Sequence, residues 1–269
     1  MSNCHKILMM ILALCLTGAV SAQLLEDNVG WAEDAAISNS QAAIGRELGD
    51  YRFTRSDGSE VMLSGYAGKP LLISMIFTSC HHICPTTTRR LRDAVRSARE
   101  VMEDDDFHVL TIGFDTVNDT PDAMRYFAGQ QSVDDPNWDF LSGDFETVDA
   151  LAKTLGFIYY RTPRGFDHIT QVSLIDASGK VYQQVYGMNF ELPWLVEPLK
   201  QLVFGGAGHG TGPIAGLLGR IQLFCTVYDP SRNRYYFDYS LFIQMAIGFA
   251  SILGVAIFLV RGLRGSKAS

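Results

Sequence analysis

Two cysteines mark the point at which a buried strand gives way to a helix, and this junction constrains the fold of the chain most strongly. The apolar run at residues 71–77 has the length and composition of a buried strand. After Cys80 and Cys84, apolar residues recur at three- and four-residue steps with arginines between them, which predicts an amphipathic helix. Pro85 suits the first turn of that helix, where its missing N–H would have no partner in any case. The positive end of the helix dipole favours thiolates there, and a thiolate is both a nucleophile and a metal ligand.

Strands and helices alternate along the rest of the central region. In chain order the sequence predicts a hairpin at residues 51–63, buried strands at 71–77 and 107–114, a helix from 121 to about 127, a strand at 138–141, a helix at 145–155, extended chain at 157–161, a loop at 162–167, a hairpin at 172–186 and a helix at 193–204. This order predicts an α/β domain over residues 46–204, with a mainly parallel central sheet and antiparallel edge hairpins.

The N-terminus predicts export. Lys6, an apolar stretch and small residues ending at Ala22 have the layout of a secretory signal peptide over residues 1–22. A lipoprotein cleavage site at Cys15 is a weaker alternative, because Leu14 is too large for the residue before such a cysteine. We interpret the following residues, 23–45, as an extended lead-in to the domain.

The C-terminus predicts a membrane anchor. Residues 240–260 contain no charged side chain, and their length suits a helix that crosses a bilayer. Arg261, Arg264 and Lys267 follow, so the tail at residues 261–269 should be cytoplasmic. We therefore expect a bacterial inner-membrane protein that is anchored at its C-terminus and exposes its domain to the periplasm. A Gly-rich linker and a juxtamembrane hairpin, residues 205–239, should join the domain to the anchor.

The charge of the chain bears on its partners. The formal net charge is −7 at pH 7, and the exported part is more acidic still, because Lys6 and the C-terminal cations lie outside it. Binding to nucleic acid needs a basic surface, so we exclude nucleic acid as a partner. An acidic surface is compatible with docking of basic proteins, although a solvated surface is the simpler interpretation.

The number and spacing of the cysteines favour some kinds of thiol chemistry over others. An oxidising compartment allows Cys80 and Cys84 to form a disulfide, and leaves Cys225 as an odd thiol that is more simply a small buried hydrophobe. Structural zinc usually takes four ligands, often in paired C-x-x-C units, which are absent from this sequence. Two thiolates with one imidazole suit copper, Cu(I) above all. His168 is the best candidate for the imidazole, since a loop before the strand at residues 170–175 could bring it to the cysteines.

Three stretches, in order and spacing, resemble the Sco/SenC family over roughly residues 50–204. They read F-T-S-C…C-P at residues 77–85, G-F-D…D-T-P at 113–121 and D-H…L-I-D-A-S-G-K at 167–180. The resemblance implies a thioredoxin-like fold and a metallochaperone that binds Cu(I) or Cu(II) through Cys80, Cys84 and His168. It also implies help in assembling the dinuclear copper centre of cytochrome c oxidase, with the copper-receiving subunit of a respiratory oxidase as partner. Asp115 matches the acidic position that the family has near this site.

The chain departs from that family pattern at two places. His81 and His82 lie between the thiols, where the family usually has Pro after the first cysteine, and either imidazole could add a ligand or alter the redox potential. The anchor is C-terminal, whereas most members are held by an N-terminal helix. His209, in the Gly-rich linker, is more simply a mobile surface histidine.

Other functions use the same thiols. The leading alternative to a binding protein is an exported thiol–disulfide oxidoreductase whose redox pair, Cys80 and Cys84, reduces the cysteines of a copper-receiving protein. A thiol peroxidase ranks last, because the P-x-x-x-T-x-x-C arrangement of typical peroxiredoxins is absent from the region before Cys84. His168 distinguishes the first two functions, because copper binding needs it and dithiol exchange does not.

Overall fold

The computed structural model describes residues 33–163, 165–205, 225–230 and 234–265. The predicted signal peptide, most of the Gly-rich linker with His209, and Lys267 lie outside these residues. The helices are α1 (residues 33–41), α2 (Ile83–Arg99), α3 (Pro121–Gln130), α4 (Phe145–Leu155), α5 (Leu192–Gly205) and α6 (Ser240–Gly265). The strands are β1 (Arg52–Arg55), β2 (Glu60–Met62), β3 (Leu71–Ile76), β4 (His108–Gly113), β5 (Trp138–Ser142), β6 (Tyr159–Thr162), β7 (Gly165–His168), β8 (Gln171–Ile175), β9 (Val181–Tyr186), β10 (Thr226–Asp229) and β11 (Arg234–Phe237).

A seven-stranded sheet in the order β2-β1-β5-β4-β3-β8-β9 forms the frame. The central strands β5, β4 and β3 are parallel, and every residue of β3 is buried, as expected for a strand covered on both faces. The hairpins β1–β2 and β8–β9 join the two sides of this trio in antiparallel pairing. The parallel centre and the antiparallel edge hairpins are as predicted, and the correction concerns only the share of parallel pairing. The sheet is mixed, because hairpins flank both sides of its short parallel centre.

Helix ends follow the capping residues of the sequence. Thr120 caps α3 by accepting a hydrogen bond from the backbone N–H of Ala123, and Pro121 is the first residue of that helix. Asp144 caps α4 by accepting from the N–H of Thr147 at 2.7 Å. Gly156 closes α4 with a left-handed backbone, φ 67°. These caps confirm the predicted helix boundaries, except that α3 runs three residues beyond the expected end at residue 127.

Two predicted irregular segments are regular. Residues 33–41 form a helix rather than an extended lead-in, and Asn39 donates from its side chain to the carbonyl of Gly156 at 3.0 Å. The predicted loop at residues 162–167 lies largely in a hairpin, in which β6 and β7 pair from Tyr159 opposite His168 to Thr162 opposite Gly165. Contacts between residues that are distant in sequence stabilise both segments. The helix has the hydrogen bond from Asn39 to Gly156, and in the hairpin Phe166 packs against aromatic rings from other parts of the fold.

The chain divides into two compact units, and the boundary falls within α2. The first unit contains the described residues up to Leu91 and Phe107–Phe190, and hence the whole seven-stranded sheet and both cysteines of the pair. Its core is built from the apolar faces of β3, β4 and β5 with α3 and α4.

The second unit contains Arg92–Asp106 and the described residues from Glu191 onward. Lys200 of α5 is buried and donates to the carbonyl of Thr226 at 2.7 Å, which fastens α5 to the predicted hairpin β10–β11. In α6, Ser240–Phe258 has a mean hydropathy of 2.2 and no buried residues. By length and composition alone, this segment could cross a membrane.

Candidate metal centre

The two thiols lie together at the start of α2. The backbone N–H of Cys84 donates to Sγ of Cys80 at 3.3 Å, and both cysteines are free thiols. Cys80 is partly exposed, whereas Cys84 is only 2% exposed. The predicted convergence of the cysteines at a strand-to-helix junction is therefore present, with β3 ending at Ile76 and α2 beginning at Ile83.

The surroundings give the two sulfurs opposite proton affinities. The thiol of Cys84 donates to Cys80, and the backbone N–H groups at the start of α2 donate to it as well, so the pKa of Cys80 falls to about 5. The same hydrogen bond from its own thiol, together with burial, raises the pKa of Cys84. At neutral pH the pair therefore consists of a thiolate at Cys80 and a thiol at Cys84.

His168 is the last residue of β7, and its half-buried ring lies among aromatic side chains. The ring centroid is 5.3 Å from that of Phe114, 5.5 Å from that of Phe157 and 5.9 Å from that of Phe77. This packing, rather than a loop, determines where the imidazole lies.

A hydrogen bond also selects the tautomer of His168. Its Nδ1 lies 2.9 Å from the carbonyl oxygen of Ile169. A carbonyl oxygen can only accept, so Nδ1 carries the proton and Nε2 presents the lone pair that a metal ion would need. Metal-binding histidines are commonly oriented in this way through their other ring nitrogen.

Cys84 and His168 share the wall of one small cavity. Its volume is about 10 Å³, enough for roughly one water-sized particle. The wall comes from β3, the first turn of α2 and the chain from β7 into β8, and consists of Ser74, Met75, Ile76, Ile83, Cys84, Thr87, His168, Thr170 and Gln171. Within the described part of the chain, no group of three His, Cys, Asp or Glu side chains could hold a metal ion as placed. Cys80 and Cys84 are thus hydrogen-bonded, and Cys84 lines the same cavity as His168. The three side chains do not yet converge closely enough to hold one metal ion.

The profile of the SCO1/SenC family matches residues 39–202. The chain belongs to this family. Among curated proteins, the SCO1 protein homolog of Bacillus subtilis is 28% identical over 146 residues, which are 53% of this chain and 75% of that relative. The family assignment confirms the resemblance seen in the three sequence stretches.

Solved structures show the same SCO1/SenC fold. BsSco, described as a member of the Sco family of cytochrome c oxidase assembly proteins with a disulfide switch, is 26% identical, with a TM-score of 0.53, over 59% of this chain and 94% of that one. ScoI of Bradyrhizobium japonicum, solved with copper bound, is 23% identical, with a TM-score of 0.50, over 59% of this chain and 99% of that one. These likenesses confirm the predicted thioredoxin-like fold.

A buried carboxylate in the SCO1/SenC stretch at residues 113–121 fastens the loop that leads to Cys80. Asp119 accepts from the backbone N–H and the hydroxyl of Thr78, both at 2.7 Å, and from the N–H of Asp115 at 2.8 Å. Burial outweighs these donors and raises the pKa of Asp119 to about 6. Gly113 is needed for this approach, because a Cβ there would lie 2.4 Å from the Cβ of Asp119. Asp119 belongs to the sequence motif, but the sequence does not indicate this contact with Thr78.

Asp115, the acidic residue singled out from the sequence, is buried beside this carboxylate. It forms an ion pair with Arg161 at 3.1 Å and accepts from the side-chain amide of Asn118 at 2.7 Å. Arg161 also lies over the ring of Phe166, 4.7 Å from its centroid. Asp115 therefore holds the β6–β7 hairpin, which carries His168, against the loop after β4.

The remaining candidate ligands lie in different settings. His81 and His82 are exposed and directly follow Cys80 in the chain. Cys225 is buried within the second unit, as its interpretation as a small hydrophobic residue expects.

Proposed function

We propose that this protein binds copper through Cys80, Cys84 and His168 and delivers it during assembly of the dinuclear copper centre of cytochrome c oxidase. The observation that carries the proposal is the cavity that Cys84 and His168 share, beside the hydrogen-bonded Cys80. Two sulfurs and one imidazole suit Cu(I) and also accept Cu(II). The family assignment, and a relative described as belonging to the cytochrome c oxidase assembly proteins, support the recipient.

The protonation of the three donors supports the same ligand set. Cys80 is already a thiolate at neutral pH, whereas Cys84 has to release its proton when it becomes a ligand. Copper loading should therefore release about one proton per domain near neutral pH. In the neutral ring of His168, the tautomer that Ile169 selects leaves Nε2 free to coordinate the metal. Closure of the site requires the end of β7 to approach the thiols.

The arrangement in the cell completes the proposal. A signal peptide at residues 1–22 would export the chain, and α6 would anchor it in the bacterial inner membrane with the domain in the periplasm. The copper-receiving subunit of the oxidase would then meet the domain outside the cytoplasm. On this proposal the protein is a carrier rather than an enzyme, and copper is its cargo.

A second candidate function has its own supporting observation. A partly exposed thiolate beside a buried thiol is the arrangement of an attacking and a resolving cysteine in dithiol exchange. On this alternative, Cys80 attacks a disulfide of the copper-receiving protein to form a mixed disulfide. Cys84 then displaces the reduced partner and forms the Cys80–Cys84 disulfide, and an external reductant restores the pair.

The test is anaerobic copper titration of the full-length protein in detergent, together with oxidase assembly in cells under limiting copper. Reduced wild type should bind one copper, and the oxidised protein none, because a disulfide removes both thiolates. Cys80→Ala and Cys84→Ala should each abolish tight binding. His168→Ala should keep some Cu(I) binding, lose the Cu(II)–thiolate absorption and fail to mature the oxidase.

The control for His168→Ala is His108→Ala. The ring of His108 is also half-buried and also packs edge-on against an aromatic ring, that of Tyr66 at 5.5 Å, but it lies outside the cavity. Thermal melts should accompany both variants, since each removes an imidazole from aromatic neighbours. If His168→Ala supports full oxidase assembly under limiting copper, copper delivery is wrong and the reductase function replaces it.

A further inference from the structure

A buried hydroxyl on the wall of the metal cavity has no role in the ligand set. Thr87 is 3% exposed, and its Oγ1 has no hydrogen-bond partner among the described residues. A helical threonine usually satisfies its hydroxyl by bonding a carbonyl one turn earlier. The preceding residue does so, since Thr86 donates to the carbonyl of His82 at 2.8 Å. Because an unpaired buried hydroxyl is destabilising, the absence of this ordinary bond at Thr87 calls for a physical reason.

The position of Thr87 suggests which atom could accept from it. Residues three apart on a helix lie on the same face, so Thr87 neighbours Cys84 on α2. Both line the cavity that His168 also lines. The hydroxyl is therefore an unpaired donor on the wall of the cavity that Cys84 also lines.

The need for such a donor changes when Cys84 becomes a metal ligand. In the metal-free structure Cys84 is a free cysteine and the hydroxyl of Thr87 has no partner among the described residues, as expected beside a thiol sulfur, which is a weak acceptor. As a metal ligand, Cys84 gives its proton to solvent and becomes a buried thiolate that can only accept. A hydrogen bond to an ionised group is about twice as strong as one between neutral groups.

We propose that Thr87 is a positioning residue for the bound metal, donating its hydroxyl hydrogen bond to Sγ of Cys84 once that sulfur is a thiolate. This inference rests on the proposed copper-binding function. The hydroxyl gains a strong partner in the loaded protein, so Thr87 favours loading. By withdrawing electron density from the sulfur, it also raises the energy of the sulfur-to-Cu(II) charge-transfer absorption.

The substitution Thr87→Val tests this, because it keeps the shape of the side chain and removes the hydroxyl. In full-length protein in detergent, we expect Cu(I) affinity to fall about tenfold, the equivalent of one such hydrogen bond. The Cu(II)–thiolate absorption should move to longer wavelength. Thr87→Ser, which keeps the hydroxyl, should restore the wild-type absorption and affinity.

The chain supplies a matched control in the next residue. Thr88 is 1% exposed, its Oγ1 also has no hydrogen-bond partner among the described residues, and it is not part of the cavity wall. Thr88→Val therefore removes an equally buried hydroxyl from the same helix and should leave absorption and affinity unchanged. If Thr87→Val prevents folding, Thr87→Ala and Thr87→Ser provide the same comparison with and without the hydroxyl.

The outcomes separate this inference from the function on which it rests. A shift and weakening in Thr87→Val, absent from Thr88→Val, supports the role of Thr87. Identical spectra and affinities in the two valine variants would overturn that role while leaving copper binding intact. Absence of copper binding in the wild type would overturn the proposed function itself, and the inference with it.

Discussion

At the scale of single residues, Cys80 and Cys84 differ in both exposure and protonation. Cys80 is partly exposed and has a pKa of about 5, whereas Cys84 is buried and its pKa is raised. The largest cause of the low pKa of Cys80 is the hydrogen bond from the Cys84 thiol. Each sulfur therefore depends on the other for its chemistry, and a substitution at one changes the reactivity of the other.

The pH dependence of alkylation measures this difference. The rate of a thiol with iodoacetamide follows its thiolate fraction, so it rises with pH through the pKa and is constant above it. We expect Cys80 of the reduced protein to show a midpoint near pH 5 and to react fully at pH 7, with Cys84 protected. Cys84→Ala removes the largest cause, so the midpoint should move up towards the ordinary value of 9.0.

The control is Cys225→Ala, which removes a buried thiol of the other unit and should leave the profile of Cys80 unchanged. Peptide mapping by mass spectrometry identifies the modified cysteine at each pH. A wild-type profile that begins to rise only above pH 8 would contradict the environment described for Cys80.

The sequence indicates the proposed ligands more clearly than the residues that orient them. Cys80 and Cys84 stand out because a strand-to-helix junction and a soft-metal donor set both depend on residue type and spacing. The role of Asp119 depends on a contact with Thr78, 41 residues away, that leaves no periodic signal. The unpaired hydroxyl of Thr87 was equally hidden, because spacing puts it on a buried helix face without showing what it bonds.

At the scale of elements, α1 packs against the end of α4. A Cβ added at Gly156 would lie 2.6 Å from the carbonyl oxygen of Asn39 and 2.8 Å from Cα of Ser40, both on α1. Gly156 therefore serves two purposes, since its left-handed backbone ends α4 and its lack of a side chain admits α1.

The substitution Gly156→Ala tests this contact. Strain at a left-handed position alone should lower the free energy of unfolding by about 1 kcal/mol. The clash with α1 should bring the total loss to roughly 3 kcal/mol or more, the range of severe packing defects. Urea denaturation followed by circular dichroism provides the measurement.

The matched control for that substitution is Gly179→Ala. Gly179 has a similar backbone, φ 86°, but a Cβ there would have no heavy atom within 4 Å. Gly179→Ala should therefore lower the free energy of unfolding only by the contribution from backbone strain. Equal losses in the two variants would mean that α1 does not press on the end of α4.

The helices and strands that the sequence predicts well are those whose ends or apolar runs are marked by neighbouring residues. α3 and α4 begin at caps that the sequence displays, α4 also ends at one, and β3 is an almost entirely apolar run. α1 has no such signal, because its short Ala- and Ser-rich sequence is stabilised by contacts such as the one with Gly156. The edge hairpins were predicted, but the share of antiparallel pairing was underestimated, because it depends on how these hairpins join the parallel centre.

At the scale of the whole molecule, the proposed signal peptide and C-terminal anchor would determine where the domain works. We predict cleavage after Ala22, so the mature protein should begin at Gln23, and a stop codon in place of Ser240 should release a soluble periplasmic domain. Deletion of residues 261–269 is the control and should leave the protein in the membrane fraction, because the apolar part of α6 remains. N-terminal sequencing and cell fractionation measure these outcomes.

Protease treatment of intact spheroplasts tests the orientation independently. If the domain faces the periplasm, as the proposed topology requires, it should be digested while a cytoplasmic marker protein is protected. A protected domain, or a retained Met1 in the mature protein, would contradict the proposed signal peptide and orientation.

The unequal burial of the two sulfurs also imposes an order in time on any exchange at this pair. On either proposed function, a metal donor, an oxidase subunit or a small thiol would contact Cys80 first, because Cys84 is only 2% exposed. The same outer sulfur would also be the last to release its partner. Loading and unloading would then use one route, so a change that exposes Cys80 further would speed both together. The inner sulfur would determine how long the cargo stays bound, and the outer sulfur how quickly it is exchanged.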